Sequence, residues 1–148
     1  MKLSTKGRYG VKAMFDLALH GGDSPLPLKT IAGRQEISEP YLEQLISVLR
    51  KDGLVKSVRG AQGGYLLAHE PDQITVGSII RSLEGSMAPA DCVIEDDPAD
   101  CSKADCCITR GIWEKIRISI DNVIDSITLQ DMIDEYNELR KQNKNYHI

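Results

Sequence analysis

The stretch LKTIAGRQEISEPYLEQLISVLRKDGLVKSVRGAQGGYLLA, residues 28–68, opens with a short apolar-periodic segment, breaks, and resumes with a longer one. LKTIAGRQE reads as a short helix with Leu28, Ile31 and Ala32 inward, and Ile37-Ser38 interrupts it. Ser38 is a good N-cap for the next helix, and Pro40 fits its first turn, where a missing N–H costs nothing. Tyr41, Leu42, Leu45, Ile46, Val48 and Leu49 then give an apolar face that runs to Lys51 and stops at Gly53. Short helix, tight turn and second amphipathic helix form a helix-turn-helix, whose second helix can enter a DNA major groove. Two short strands follow, at 54–58 and 64–68. Arg59 leads the turn between them, and Gly60, Gly63 and Gly64 can take the positive φ values that a tight, closely approaching backbone needs. A basic hairpin directly after a helix-turn-helix is a wing. The alternative of a phosphate-binding loop is disfavoured, because no Gly-Lys-Ser/Thr follows and the glycine spacing fits neither nucleotide fingerprint.

Outward from this unit, residues 4–20 form a first helix with Tyr9, Ala13, Met14, Leu17 and Ala18 at helical spacing, ended by Gly21 and Gly22. Lys6, Arg8 and Lys12 on its early turns suit contact with a phosphate backbone, or a solvated face. Thr75 caps a further helix over 76–83, with Val76, Ile79, Ile80 and Leu83 inward and Gly85 as the stop. A long helix is expected from near Asp105 to about Ser126, striped by Ile108, Ile112, Ile116, Ile120, Val123, Ile124 and Ile127, with Trp113 beside the stripe. So small a domain has little core left for such a stripe to cover, which predicts pairing with a second copy of the chain. Thr128 caps a last amphipathic helix, Leu129, Met132, Ile133, Tyr136 and Leu139, before a polar tail, KQNKNYHI, that is expected to fray. The expected fold is therefore mainly α with a small β-hairpin wing. The expected division is a winged helix-turn-helix domain over 1–84, a cysteine-bearing loop over 85–107, a dimerisation helix and C-terminal helix over 105–140, and a tail over 141–148.

At 148 residues, 41% hydrophobic and 27% charged, the chain has the material for one core and an appendage. No run approaches the roughly 20 apolar residues of a membrane span, and no apolar segment follows the charges of MKLSTKGRYGVKAMF, so a cytoplasmic protein is expected. The net charge of -4 hides an asymmetry: residues 1–70 carry ten Lys and Arg against seven Asp and Glu, whereas 71–148 carry eight against fifteen. The first half is thus the one suited to meet nucleic acid. No set of converging acids, bases and nucleophiles suggests an enzyme or a small-molecule substrate.

The segments MKLSTKGRYGVKAM, YLEQLISVLRKDGLVKSVRGAQGGYLL and ITVGSIIRSLEG resemble those of the IscR, NsrR and CymR family of bacterial winged-helix transcription regulators, over roughly residues 1–130. With its cysteine loop and the following CITRGIW, the chain is most similar to the IscR-type iron-sulfur regulators; cysteine-free members lack this loop. The resemblance implies a homodimer on a pseudo-palindromic, double-stranded operator, with heads spaced about 34–36 Å apart. It implies that Glu43 and Gln44 face the bases, Gln bridging adenine N6 and N7 and Glu accepting from cytosine N4. Glu43 also repels phosphates, which makes it a specificity element. Ser38 and Tyr41 are expected to hold register on the backbone, unless Tyr41 is simply core, and Arg59 to enter the minor groove. The family position aligned with Pro40 often carries a polar base-contacting residue, and proline cannot play that part.

Every cysteine lies in CVIEDDPADCSKADCC, residues 92–107, within a stretch of six acidic residues and two prolines over 85–107. By resemblance Cys92, Cys101 and Cys107 match the three thiolate ligands of a 2Fe-2S cluster, with 4Fe-4S the lesser expectation. The family's histidine ligand, three residues after the last cysteine, falls on Arg110, which has no lone pair to give. Cys106 is the first candidate for the fourth ligand, although adjacent residues point apart on a regular helix; Asp105, Asp91 or a group from the partner subunit are the others. His20 and His69 are expected to be ordinary surface or capping residues. Zinc sites pair cysteines two to four residues apart, twice over, which this spacing does not fit. Three readings stand: a homodimeric regulator sensing an iron-sulfur cluster and controlling cluster-assembly genes, a cluster-free regulator responding to thiol oxidation or a partner enzyme, and an iron-sulfur carrier or redox protein.

Overall fold

The Ser38 hydroxyl accepts a hydrogen bond from the Tyr41 amide at 3.2 Å and so starts a helix at Glu39, as the sequence predicts. This is seen in a computed structural model that describes residues 2–143. Helix α1 spans Thr5–His20, α2 Leu28–Gln35 and α3 Glu39–Lys51. The turn between α2 and α3 is held by Glu36 in the left-handed region, φ 55, with the Ile37 amide donating to the Ala32 carbonyl at 3.1 Å. A glutamate there costs about 1–2 kcal/mol relative to an ordinary conformation, offset by the burial that the turn makes available. Met14, Leu17, Ile31, Leu42, Ile46 and Leu49 meet at the centre, each below 2% exposure. Burying each such side chain contributes about 1.5–3 kcal/mol. Val48, expected on the inward face, is instead 41% exposed. Leu42, Leu45, Ile46 and Leu49 already fill that face, and the helical period turns Val48 to its edge.

Strands β1, Val55–Val58, and β2, Gly64–Leu67, pair antiparallel from Val55–Leu67 to Val58–Gly64. The wing is anchored to the chain before α2 by mutual backbone bonds of Leu26 and Tyr65, at 3.0 and 2.8 Å. That approach requires Gly64: its φ is +153°, and a Cβ would collide with the Leu26 carbonyl. Gly64→Ala is expected to lower stability by about 1–3 kcal/mol, read as a fall in Tm, and to free the wing from its anchor. An unchanged Tm would show that the hairpin takes up the extra carbon without detaching.

Helix α4, Val76–Glu84, starts at Thr75, whose hydroxyl accepts from the Ser78 amide at 3.0 Å. It packs on α1 where Gly10, lacking a Cβ, leaves room for Leu83. Helix α5 runs over Ile108–Ser126 and α6 over Leu129–Gln142. The long helix thus begins three residues later than the sequence suggests, because Ala104–Cys106 forms a 3-10 turn and Cys107 is extended at φ -88, ψ 108. The thiols of Cys106 and Cys107 are therefore not fixed on one regular helix. No residue of α5 is buried, and Ile108, Ile112, Ile118, Val123 and Ile127 are exposed.

Helix α6 returns to pack on α1 and the core of the helix-turn-helix. Leu129 is fully buried, and Tyr136 meets Phe15 edge-on with ring centroids 5.9 Å apart. Its start carries a capping box, Thr128 and Asp131 bonding each other's amides at 3.1 and 2.9 Å. Backbone bonds from Val76 to Ile127 and from Leu129 to Ile74, at 2.8 and 3.0 Å, tie this junction to the start of α4. Lys141 and Gln142, read as part of a tail, belong to α6, and residues 144–148 of that tail lie outside the described residues. Among the described residues no helix is long and apolar enough to cross a membrane.

Candidate nucleic-acid interface and cysteine loop

Helix α3 buries one side and presents Pro40, Glu43, Gln44, Ser47 and Lys51 on the other. Glu43 and Gln44 are exposed one turn past the N-cap, where a helix entering a major groove places its base-reading residues. Ser38 is exposed as well, but its hydroxyl is engaged in capping. Tyr41 is half-buried and meets Tyr9 edge-on at 6.2 Å, and the Lys12 ammonium lies 5.3 Å from the Tyr9 ring. Packing and backbone contact are therefore compatible at Tyr41. Arg59 is exposed at the wing tip, and Arg50 of α3 reaches the Ser57 hydroxyl of β1 at 3.4 Å, joining α3 to the hairpin.

Lys6 and Arg8 are exposed on the first turn of α1. That turn is capped from another element: the Glu84 carboxylate accepts from the Ser4 amide at 2.7 Å, from the Ser4 hydroxyl, and from the Gly7 amide at 3.3 Å. Sequence reasoning missed Glu84, since no local spacing links residues 80 apart. It also missed Asp16, the buried charge on which the helix-turn-helix is fixed. Asp16 is 0% exposed and takes the Arg34 guanidinium at 2.5–3.2 Å and the Gln35 amide at 2.9 Å, locking the end of α2 to α1. The hydrogen bonds that Arg34 donates to the Asp16 carboxylate foremost raise its pKa. An aspartate between Phe15 and Leu17 on an inward helical face is the signal that could have disclosed it.

The four cysteines are free thiols on the loop that joins α4 to α5. Cys92 is half-buried in a 3-10 turn, Asp91–Val93, pinned by Val93 at 2% exposure. Cys101 and Cys106 are exposed, and the Cys106 thiol points at the Lys103 carbonyl, 3.6 Å away. Cys107 stands at the N-terminus of α5. The Thr109 hydroxyl, 3.2 Å from its sulfur, and then the Arg110 amide lower its pKa and so favour the thiolate. Asp91 and Asp105 are exposed beside Cys92 and Cys106, whereas His20 and His69 lie on other elements. Among the described residues no three His, Cys, Asp or Glu side chains converge on one point. The donor set is right for soft iron chemistry, and a ligand would have to draw the loop closed to use it.

The chain as a whole has close counterparts among known proteins. A family model described as Rrf2, iron-dependent transcriptional regulator, matches residues 3–135. The chain belongs to the Rrf2 family. It is 49% identical over 132 residues to the HTH-type transcriptional regulator CymR of Bacillus subtilis, covering 89% of each chain. It is 44% identical over 133 residues to the regulator IscR of Sodalis glossinidius, covering 90% of this chain and 79% of that one. Among solved structures, T. potens IscR superposes with a TM-score of 0.76 at 56% identity, over 95% of this chain and 91% of that one. CymR, described as the global cysteine regulator of B. subtilis, gives 0.75 at 49%, over 91% and 98%. As an Rrf2 member the chain is a winged-helix, DNA-binding transcription regulator and not an enzyme, which removes the redox-enzyme reading.

Proposed function

We propose that this Rrf2 regulator is a homodimer that senses iron-sulfur cluster status and regulates cluster-assembly genes. Cys92, Cys101 and Cys107 hold the cluster, 2Fe-2S in type, with Cys106 the favoured fourth ligand. The observation that carries the reading is that all four thiols sit on one surface loop leading into α5, with Cys107 at the helix N-terminus. To hold a cluster, Cys92, Cys101 and Cys107 would have to converge, which would order the loop. Occupancy then shifts the population of reading-head arrangements. The exposed isoleucine and valine face of α5 suits pairing with a second copy, which would bring two α3 helices to successive major grooves. In each head Gln44 and Glu43 read bases, Arg59 enters the minor groove, and Ser38, Tyr41, Lys6 and Arg8 follow the backbone.

Anaerobic reconstitution with iron and sulfide tests this, followed by selection of duplexes from a randomised pool by the loaded and cluster-free protein. Visible charge-transfer absorption, labile sulfide and different duplex preferences of the two forms are expected. Binding is expected to weaken about 10³- to 10⁵-fold between 50 and 200 mM salt, the range for six to ten phosphate contacts. Absence of absorption and sulfide sinks the cluster claim, and equal binding by both forms sinks the coupling. A second reading, a cluster-free regulator responding to thiol oxidation or a partner, draws on the likeness to CymR and on the unconverged thiols. A response to oxidant that survives without iron and sulfide would favour it.

A further inference from the structure

Arg117 stands on α5 with its side chain 12% exposed, and its fork faces three carboxylates. One amino group meets Glu95 at 3.4 Å and Asp121 at 3.1 Å, and the other meets Glu114 at 2.7 Å. Glu95 belongs to the loop, between Cys92 and Cys101. Asp121 is shared: its second oxygen accepts from Arg81 of α4 at 2.9 Å, and Arg81 also grips Asp125 at 2.6 and 2.9 Å. Gly77, one turn earlier on α4, has no Cβ where the Asp125 carboxylate lies, so α4 and α5 approach closely here.

Helix α4 in turn holds both DNA-facing helices. Glu84 caps the first turn of α1, which carries Lys6 and Arg8, and the Ser82 hydroxyl bonds Asp52 at the end of α3 at 2.5 Å. We propose that Arg117 is a positioning residue that carries the state of the cysteine loop to the reading head, through Asp121 and Arg81 to α4. This rests on the sensing function proposed above. The exposed Glu95 pair adds little stability by itself, since Glu95 is 75% exposed; its part is directional. Arg117 also has a buried Nε–H without an acceptor among the described residues. A donor left open inside the network favours any loop arrangement that brings a carbonyl or carboxylate to it, so closing the loop repositions Arg117 and, through the shared Asp121, Arg81.

The test uses full-length Glu95→Gln and Arg117→Lys proteins, cluster-loaded and cluster-free, on duplexes selected by the two wild-type forms. Both variants are expected to match wild type in iron and sulfide content and in Tm. Their loaded-to-free affinity ratio is expected to fall to within about twofold of one, from the roughly 5- to 150-fold range typical of coupled sites. Variants that load normally and keep the wild-type ratio overturn the proposal. If Arg117→Lys does not fold or load, Glu95→Gln decides, because its exposed side chain carries no core packing. A Glu95→Gln protein that no longer holds the cluster also overturns it, since Glu95 would then act on ligation. A wild-type ratio of one refutes the sensing function itself, and this relay with it.

Discussion

Anaerobic treatment of a Cys107→Ala protein with iron and sulfide is expected to leave it colourless, with labile sulfide below about one-tenth of wild type and DNA binding no longer responsive to the treatment. Thiolates, not thiols, ligate iron, so a site whose thiol pKa is lowered gives up its proton to the metal more readily. Cys107 is that site: Thr109 and the Arg110 amide favour its anion, and α5 adds the positive end of its dipole. Its extended backbone also sets the direction in which the loop enters the helix. Far-ultraviolet circular dichroism and Tm should be unchanged, because the core lies elsewhere. Cys92→Ala and Cys101→Ala are expected to behave alike. Cys106→Ala is expected to reduce loading and alter the absorption without abolishing it, since Asp105 or Asp91 can supply an oxygen. Full loading of Cys107→Ala would remove Cys107 from the ligand set.

Gln44→Ala is expected to weaken binding to the selected duplex by about 2–6 kcal/mol, at least roughly 30-fold. A bidentate side chain-to-base pair is worth about 1–3 kcal/mol, and the proposed homodimer would lose two of them. The loss should be confined to duplexes with the preferred base, so the mutant also becomes less selective at that position. Arg59→Ala should weaken binding and erase any preference for a narrow minor groove. Lys6→Ala supplies the contrast. Removing one phosphate contact per protomer should weaken all duplexes alike and lower the salt slope by about 2 per dimer. A uniform loss for Gln44→Ala, with selectivity kept, would place Gln44 on the backbone instead of the bases.

Most of the reading head was legible because its signals are local. Ser38 and Thr75 cap the helices they were expected to cap, and the strands of the wing fall within one residue of their predicted ends. Side-chain oxygens, glycines and the helical period act over a few residues, so they can be read without knowing the fold. The start of α5 was misplaced for a related reason. Helical periodicity in Ile108–Ile112–Ile116 says nothing of the preceding Asp105–Cys107, which spacing alone could attach to the helix but the backbone assigns to a 3-10 turn and an extended cap.

The sequence by itself determined the helix-turn-helix with its hairpin wing, Arg59 at the turn of that hairpin, and the gathering of all thiols on one acidic segment. These follow from periodicity, capping and composition, which are properties of neighbouring residues. Only the tertiary structure decided that α6 returns to bury Leu129 and Tyr136 against the head, while no residue of α5 is fully buried. It alone paired buried Asp16 with Arg34, set Glu84 on the first turn of α1, and joined Glu95, Arg117, Asp121 and Arg81 into one network. Such contacts join residues up to 80 positions apart, and long-range ion pairs are chosen by which surfaces packing brings together, for which the linear chain carries no spacing rule.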